Sequence, residues 1–278
     1  MINNILVLGG KGKTGRRIAE RLTQLGHQVC IGSRSETPAF DWHKPAGWPA
    51  VLEGMHKVYI TYQPDLAVPG AKEAIEAFTK VAEQQGIQQL VLLSGKGEVE
   101  AQRCEQIVLN SGIAATIVRA SWFSQNFSES FFLDSIQQGV VALPKAHVKT
   151  PYVDANDIAD VAVEVLLQGG HENKIYELTG PRMLSFAEVI DEIATATGRD
   201  IKFIPITLPE YIKALKGYGL PEDYIWLIEY LFTEVLDNAQ NQVITNDIER
   251  LLGRKPIDFS EYVAETAKTR IWNQAVEA

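Results

Sequence analysis

Two rhythms of apolar and polar residues alternate along the chain as far as about residue 180. Short runs rich in Val, Ile and Leu predict strands at 4–8, 28–32, 57–61, 89–94, 115–119 and 174–179, with a shorter one near 38–41. Between them apolar residues recur every three or four positions, which predicts helices near 14–25, 69–86, 98–111 and 155–168. Strands that alternate with helices in this way predict an α/β fold, a doubly wound parallel sheet with crossover helices on both faces. Ligands of such sheets lie at the carboxyl ends of the strands, near the switch in strand order. The loops expected there are Thr61-Tyr62-Gln63-Pro64, Ser94-Gly95-Lys96-Gly97 and Arg119-Ala120-Ser121-Trp122.

After Gly180-Pro181 the pattern changes. Helical spacing dominates at 185–197, 208–218, 221–236, 244–252 and 258–270, with one strand near 201–205. This predicts a first domain over 1–180 and a smaller, mostly helical C-terminal substrate lobe over 181–278, packed over the sheet's carboxyl edge. The segment from Tyr224 to Phe232 is apolar nearly all round. Such a helix is usually buried core; a substrate lid or a homodimer face is the other reading.

The turn after the first strand carries the clearest chemistry. It reads Gly9-Gly10-Lys11-Gly12-Lys13-Thr14-Gly15 and opens the first helix. Gly10, Gly12 and Gly15 fit G-x-G-x-x-G, while Gly9, Gly12 and Gly15 fit G-x-x-G-x-x-G, the spacing of short-chain and extended dehydrogenases. Glycines let the backbone approach a pyrophosphate, and a helix N-terminus presents N–H groups and partial positive charge to it. The plain alternative is a tight turn with no ligand. Strand, glycine turn and helix in that order favour a dinucleotide seat.

The end of the second strand selects the nucleotide. An NAD enzyme usually places Asp or Glu about 20 residues past the turn, on the ribose 2′-hydroxyl. Ser33 and Arg34 stand there instead, and no carboxylate appears before Glu36. A guanidinium grips a 2′-phosphate in a bidentate manner and a hydroxyl adds a bond. The expected cofactor is NADP(H), with Lys11 and Lys13 lending charge. Otherwise Arg34 caps a strand end or stacks on adenine.

Composition narrows the class. The formal net charge of −9 over 278 residues argues against a general nucleic-acid binder. Two cysteines and five scattered histidines make neither a disulfide framework nor a metal spacing. No cleavable leader pattern and no apolar stretch of membrane-spanning length is present. A cytoplasmic protein acting on a small molecule, with no nucleic acid and no membrane, is expected.

Several segments in this order resemble the NmrA-like proteins, which are atypical short-chain dehydrogenases, and among them the subgroup with ergot-alkaloid clavine reductases. They are Leu8 to Arg16, Arg119 to Phe127, Pro151 to Ala159, Tyr176 to Pro181, and Leu252-Gly253-Arg254-Lys255-Pro256 followed by Phe259. Relatives often have Arg-Pro where this chain has Arg119-Ala120. The resemblance implies a Rossmann-type sheet with NAD(P) across its carboxyl edge. It implies that Gly9, Gly12 and Gly15 form the pyrophosphate turn and that Arg34 holds the 2′-phosphate. Asp41 and Trp42 would lie at the adenine edge, and Thr61 and Tyr62 beside the nicotinamide ribose. Trp122, Phe123, Asn126, Phe127 and Tyr152 would wall an apolar substrate pocket; ordinary core packing is the competing reading of the aromatic ones.

Short-chain dehydrogenases take their proton from a Tyr tuned by a Lys four residues on, with a Ser nearby. Ser94 stands where that Ser is expected. The helix from Gly97 to Glu105 holds neither Tyr nor Lys. The usual proton donor is absent, and two readings follow. One is an NADPH-dependent reductase of an imine, iminium or quinone, working mostly by positioning. Glu98 or Asp154 would then favour a cationic substrate, unless they are solvated or capping carboxylates. The other is a non-catalytic sensor of cofactor redox state that acts through a protein partner. A sugar epimerase fits poorly, because it relies on the missing Tyr.

Overall fold

Asn4–Leu8 forms the first strand, with its last four residues fully buried. The computed structural model describes residues 2–273. In chain order its first half comprises β1 (Asn4–Leu8), α1 (Lys13–Gln24), β2 (Gln28–Gly32), α2 (Trp48–Leu52), β3 (Lys57–Ile60), α3 (Ala71–Gln84), β4 (Gln89–Gly95), α4 (Val99–Leu109) and β5 (Ala114–Ala120). Then follow α5 (Leu133–Gln138), β6 (Val140–Leu143), α6 (Ala155–Leu167), β7 (Lys174–Leu178), α7 (Phe186–Thr197), β8 (Lys202–Pro205), α8 (Leu208–Gly217), α9 (Glu222–Tyr230), α10 (Asp247–Leu252) and α11 (Phe259–Lys268).

Six strands pair in parallel in the order β2-β1-β3-β4-β5-β7. Leu6 of β1 stands beside Cys30 on one side and Val58 on the other. The strand order therefore reverses between β1 and β3, which defines the switch point. Side chains alternate across the sheet with the period of two that strands impose. Leu6, Leu8, Val58, Ile60, Leu90 and Leu92 join one core with Trp48, Ile75, Phe78 and Cys104 from α2, α3 and α4. The intervening Ile5, Val7, Tyr59 and Val91 are equally buried on the opposite face, while α6 packs on α1 as well as on β3, β4 and β5. Helices cover both faces, and the sheet is doubly wound as expected.

Residues 38–41 are not a strand. The segment folds back on the end of β2, where Phe40 N–H donates to the Ser33 carbonyl at 2.9 Å. Phe40 then buries its ring edge-on against Trp42, at 4.9 Å between centroids. A single aromatic packed in a loop mimics a short strand's apolar signal.

The chain forms two units, and they interleave instead of dividing at a single cut after residue 180. The first runs to Ala120, takes in Ala155–Leu178 and regains Asp247–Arg254. The second holds Ser121–Asp154, Thr179–Asn246 and the residues from Lys255 onward. Ion pairs bind the late segment into the first unit. Arg254 reaches Asp157 at 2.6 Å and Asp160 at 2.5 Å on α6, and Arg21 of α1 holds Asp160 at 2.6 Å. Hydrophobic period says nothing of such pairings.

The second unit is mostly helical, around an aromatic core. The Phe127 ring lies 5.1, 5.5 and 5.7 Å from those of Phe132, Tyr152 and Phe259. The short β6, which had no sequence signal, pairs in parallel with β8. A reciprocal capping box starts α7: Ser185 N–H donates to Glu188 Oε2 at 2.8 Å and Glu188 N–H donates to Ser185 Oγ at 3.3 Å. The apolar helix at Tyr224 to Phe232 turns Ile225, Leu227, Ile228 and Phe232 into the core. Trp226 and Tyr230 stack on its outer side, their rings 5.5 Å apart. After Tyr230 a wider π-type turn, Leu231–Val235, replaces the expected α-helix.

Arg182 clamps this unit's polar shell. It holds Asp258 and Glu192, each at 2.7 Å. The guanidinium keeps the Asp258 carboxyl down at about 2. A depressed carboxylate stabilises the native state above its ordinary pKa, and that stability is lost as pH falls through the depressed value. Asp258→Asn keeps the α11 cap and should cost about 1 kcal/mol at neutral pH, because the pair is partly solvated. In urea melts the gap between native and variant should close as pH approaches about 2; a gap independent of pH would show that the ion pair contributes nothing. No helix among the described residues is long and apolar enough to cross a membrane.

Candidate functional site

Close backbone contacts shape the turn between β1 and α1. Gly9 has φ +64°, and a Cβ there would lie 2.3 Å from Thr61 Oγ1. A Cβ on Gly15 would lie 2.3 Å from the Gly9 carbonyl oxygen, and one on Gly10 would lie 2.7 Å from the Ile31 side chain. Gly12 N–H donates to the Gly9 carbonyl at 2.8 Å, closing the turn. Gly12 is also the N-cap of α1 and brings no capping side chain. The helix therefore starts with its partial positive charge unneutralised by a local side chain.

A cavity of about 740 Å³ opens beside this turn. Of the residues expected at a cofactor, Gly9, Lys11, Gly12, Ser33, Arg34, Asp41, Trp42 and Thr61 line it. Gly32, Ser35, Phe40, His43, Gln63 and Pro64 line it too, and had no chemical signal of their own. Gly10, Lys13, Thr14, Gly15 and Tyr62 are not on its wall. Thr14 is buried and accepts a hydrogen bond from the Tyr59 hydroxyl at 3.0 Å. Tyr62 lies 4.9 Å from the Trp42 ring, and burial pushes its phenol pKa up, with Cys104 and Glu73 adding to the shift.

The wall is basic at one end. Lys11 is paired with Glu36 at 2.7 Å and donates to Ser35 Oγ at 2.7 Å. Arg34 is exposed, and no described residue gives it an ion-pair partner. The opposite side is aromatic and rigid. Trp42 donates its indole N–H to the Thr61 carbonyl at 3.2 Å, and Trp48 donates to the Asp41 carbonyl at 2.9 Å. Asp41 Oδ1 accepts from the His43 N–H at 3.0 Å.

Ser94 does not line the cavity. It is buried on the α4 side of β4, and its hydroxyl donates to Glu105 Oε1 at 2.6 Å. Glu105 is fully buried and gripped by Arg119 from β5 at 2.9 and 2.5 Å. Arg119 also holds Glu177 of β7 at 2.7 Å, and Lys96 holds the other Glu177 oxygen at 2.6 Å. Burial opposes ionisation of Glu177, but Lys96 and Arg119 keep its pKa below the usual range. The position expected for catalysis is thus one link in an ionic network that ties β4, β5, β7 and α4 together.

The aromatic residues expected around substrate divide. Phe127 and Tyr152 are core residues of the second unit, with every ring neighbour an aromatic of that core. This corrects the expectation that they wall a pocket. Trp122, Phe123 and Asn126 remain half-buried. Asp154 is not a solvated carboxylate, since it is buried and accepts from Gln125 Nε2 at 3.0 Å. Glu98 is buried as well.

Comparison with known proteins agrees with this architecture. The chain is 29% identical to the NAD(P)H azoreductase of Xenophilus azovorans, over 93% of this chain and 96% of that one. It is 28% identical to the agroclavine dehydrogenase of Claviceps fusiformis, over 94% and 96% of the two chains. The Citrobacter triphenylmethane reductase, solved with NADP(H), superposes with a TM-score of 0.74 at 18% identity, covering 95% of this chain and 99% of that chain. The model of the NmrA-like family matches residues 75–263. A match of that extent, on a sheet with this strand order and this opening turn, is sufficient: the chain belongs to the NmrA-like family.

Proposed function

We propose that this protein is an NADP(H)-dependent reductase of small apolar electrophiles of the imine, iminium or quinone type. The observation that carries the reading is Arg34, a guanidinium on the cavity wall with no ion-pair partner among the described residues, beside a turn that side chains cannot enter. The residues present fit the cofactor. The Gly9–Gly12 backbone and the uncapped start of α1 suit the pyrophosphate. Arg34 and Ser33 suit a 2′-phosphate, Asp41 and Trp42 the adenine edge, and Thr61 the nicotinamide ribose. When bound, the cofactor supplies hydride. The protein's own contribution is to hold an acceptor in place and to exclude water from it.

The relatives support the oxidoreductase class by name, as an azoreductase, a clavine dehydrogenase and a dye reductase. The test is discrimination between cofactors. A charge-assisted phosphate contact is worth roughly 1.5–3 kcal/mol, or about 10- to 100-fold. Arg34→Ala should weaken NADPH by that factor in a fluorescence titration while NADH changes little. Equal losses would make Arg34 a structural residue and remove the basis for NADP(H). Turnover of NADPH with an iminium, quinone or dye panel completes the test. Tight binding with no turnover would leave a redox sensor.

A further inference from the structure

Arg34 and Lys11 both line the cavity, but their surroundings differ. Arg34 has no ion-pair partner among the described residues, whereas Lys11 is paired with Glu36 at 2.7 Å. The sheet register brings that pair together. Leu8 of β1 stands beside Gly32 of β2, so the glycine turn and the loop after β2 leave the sheet side by side. Lys11 Nζ also donates to Ser35 Oγ at 2.7 Å, and Ser35 Oγ lies 3.1 Å from Ser33 Oγ. Ser33 and Ser35 are on the cavity wall. Glu36 stands one residue beyond and reaches the wall through Lys11.

An ammonium has three donors, and Ser35 and Glu36 take two of those on Lys11. More important is its charge. A guanidinium without a partner presents a full positive charge to the cavity, while an ammonium in contact with a carboxylate forms a nearly neutral pair. A phosphate monoester carries about −1.5 to −2 charges at pH 7. NADH has an uncharged hydroxyl at the same position. Charge on this part of the wall therefore acts on NADPH and hardly on NADH. The side chains of Lys11 and Glu36 are 58% and 40% exposed, so the pair contributes little to the fold. Backbone bonds hold the loop independently, since the Glu36 and Phe40 N–H groups both donate to the Ser33 carbonyl, at 3.4 and 2.9 Å.

We propose that Glu36 is a built-in counter-ion that withholds the Lys11 charge from the 2′-phosphate and so sets how far the protein prefers NADPH over NADH. The inference rests on the NADP(H) reading of the cavity. Arg34 supplies the attraction for the phosphate. Glu36 keeps the preference below what two free cations would give, and acts through Lys11 without touching the nucleotide.

Fluorescence titration of NADPH and NADH tests this with three variants. Glu36→Gln keeps the side chain's size and removes its charge. It should tighten NADPH by about 2- to 5-fold, the scale of an exposed charge pair, and leave NADH unchanged. Lys11→Met should weaken NADPH by a similar factor, because it leaves the Glu36 charge uncompensated. The double variant should return close to the native affinity. Each shift should shrink toward none in about 1 M salt, where charges more than about 3 Å apart are screened. Glu76→Gln removes an exposed carboxylate paired with Lys80 on α3 and should leave both affinities unchanged. A Glu36→Gln variant with native affinities, or one that shifts NADPH and NADH alike at every salt concentration, overturns the proposal alone. So does a double variant far weaker than native, which would mean that Lys11 grips the phosphate with Glu36 in place. Equal losses of NADPH and NADH in Arg34→Ala overturn the NADP(H) reading, and the proposal with it.

Discussion

Arg119→Met is expected to cost about 3–5 kcal/mol of stability, the usual result of removing one partner from a buried ion pair. The side chain of Glu105 has no exposure, and Arg119 is its ion-pair partner, donating two hydrogen bonds to it. Methionine leaves that carboxylate buried with only the Ser94 hydroxyl. It also strips Glu177 of one of its two cations. Denaturant melts of Arg119→Met and of the double variant with Glu105→Gln provide the check. The double variant should be the more stable of the two, because no uncompensated charge remains. A single variant within about 1 kcal/mol of native would show that water reaches Glu105 and that the network is not a dry one.

The second large effect is expected at Gly15. A methyl there would stand 2.3 Å from the Gly9 carbonyl oxygen, 2.7 Å from its carbon and 2.9 Å from Gly10 Cα. All three are backbone atoms, so no rotamer change relieves the clash. Gly15→Ala must push α1 away from the turn, at a cost of about 1–3 kcal/mol by the usual measure of overpacking. The shift also moves the amides of the first helical turn. Losing two charge-assisted bonds of about 1.5 kcal/mol each lowers NADPH affinity by roughly 100-fold. Calorimetry should show this loss for NADPH and NADH alike, unlike Arg34→Ala. A variant that binds both as the native protein does would place the pyrophosphate elsewhere. Gly12 makes a useful contrast, since a Cβ there would come no closer than 3.2 Å to the Gly9 oxygen.

How far the site could be read from sequence differs from residue to residue. Gly9, Gly12 and Arg34 were legible because their chemistry is local: a turn between a strand and a helix, and a cation at the next strand's end. They line one cavity because β1 and β2 are neighbours. Thr61 and Trp42 came from resemblance, and a direct bond links them, the Trp42 indole to the Thr61 carbonyl. Ser94 had the right position in the chain, but its side chain lies on the α4 face, where Glu105 takes its hydroxyl. Strand period distinguishes two faces without saying what waits on each. Phe127 and Tyr152 show the same ambiguity, because aromatic residues that fill a core and those that wall a pocket have one sequence signature.

The amino-acid order alone determined the alternating elements, the doubly wound sheet and the glycine turn that opens it, because each depends on neighbours within a few residues. Tertiary structure alone decided that Arg119 joins Glu105 to Glu177 and that Asp247–Arg254 returns to the first unit. Such pairings join residues far apart in the chain, and their energies depend on burial and on the docking of loops, which no local period encodes.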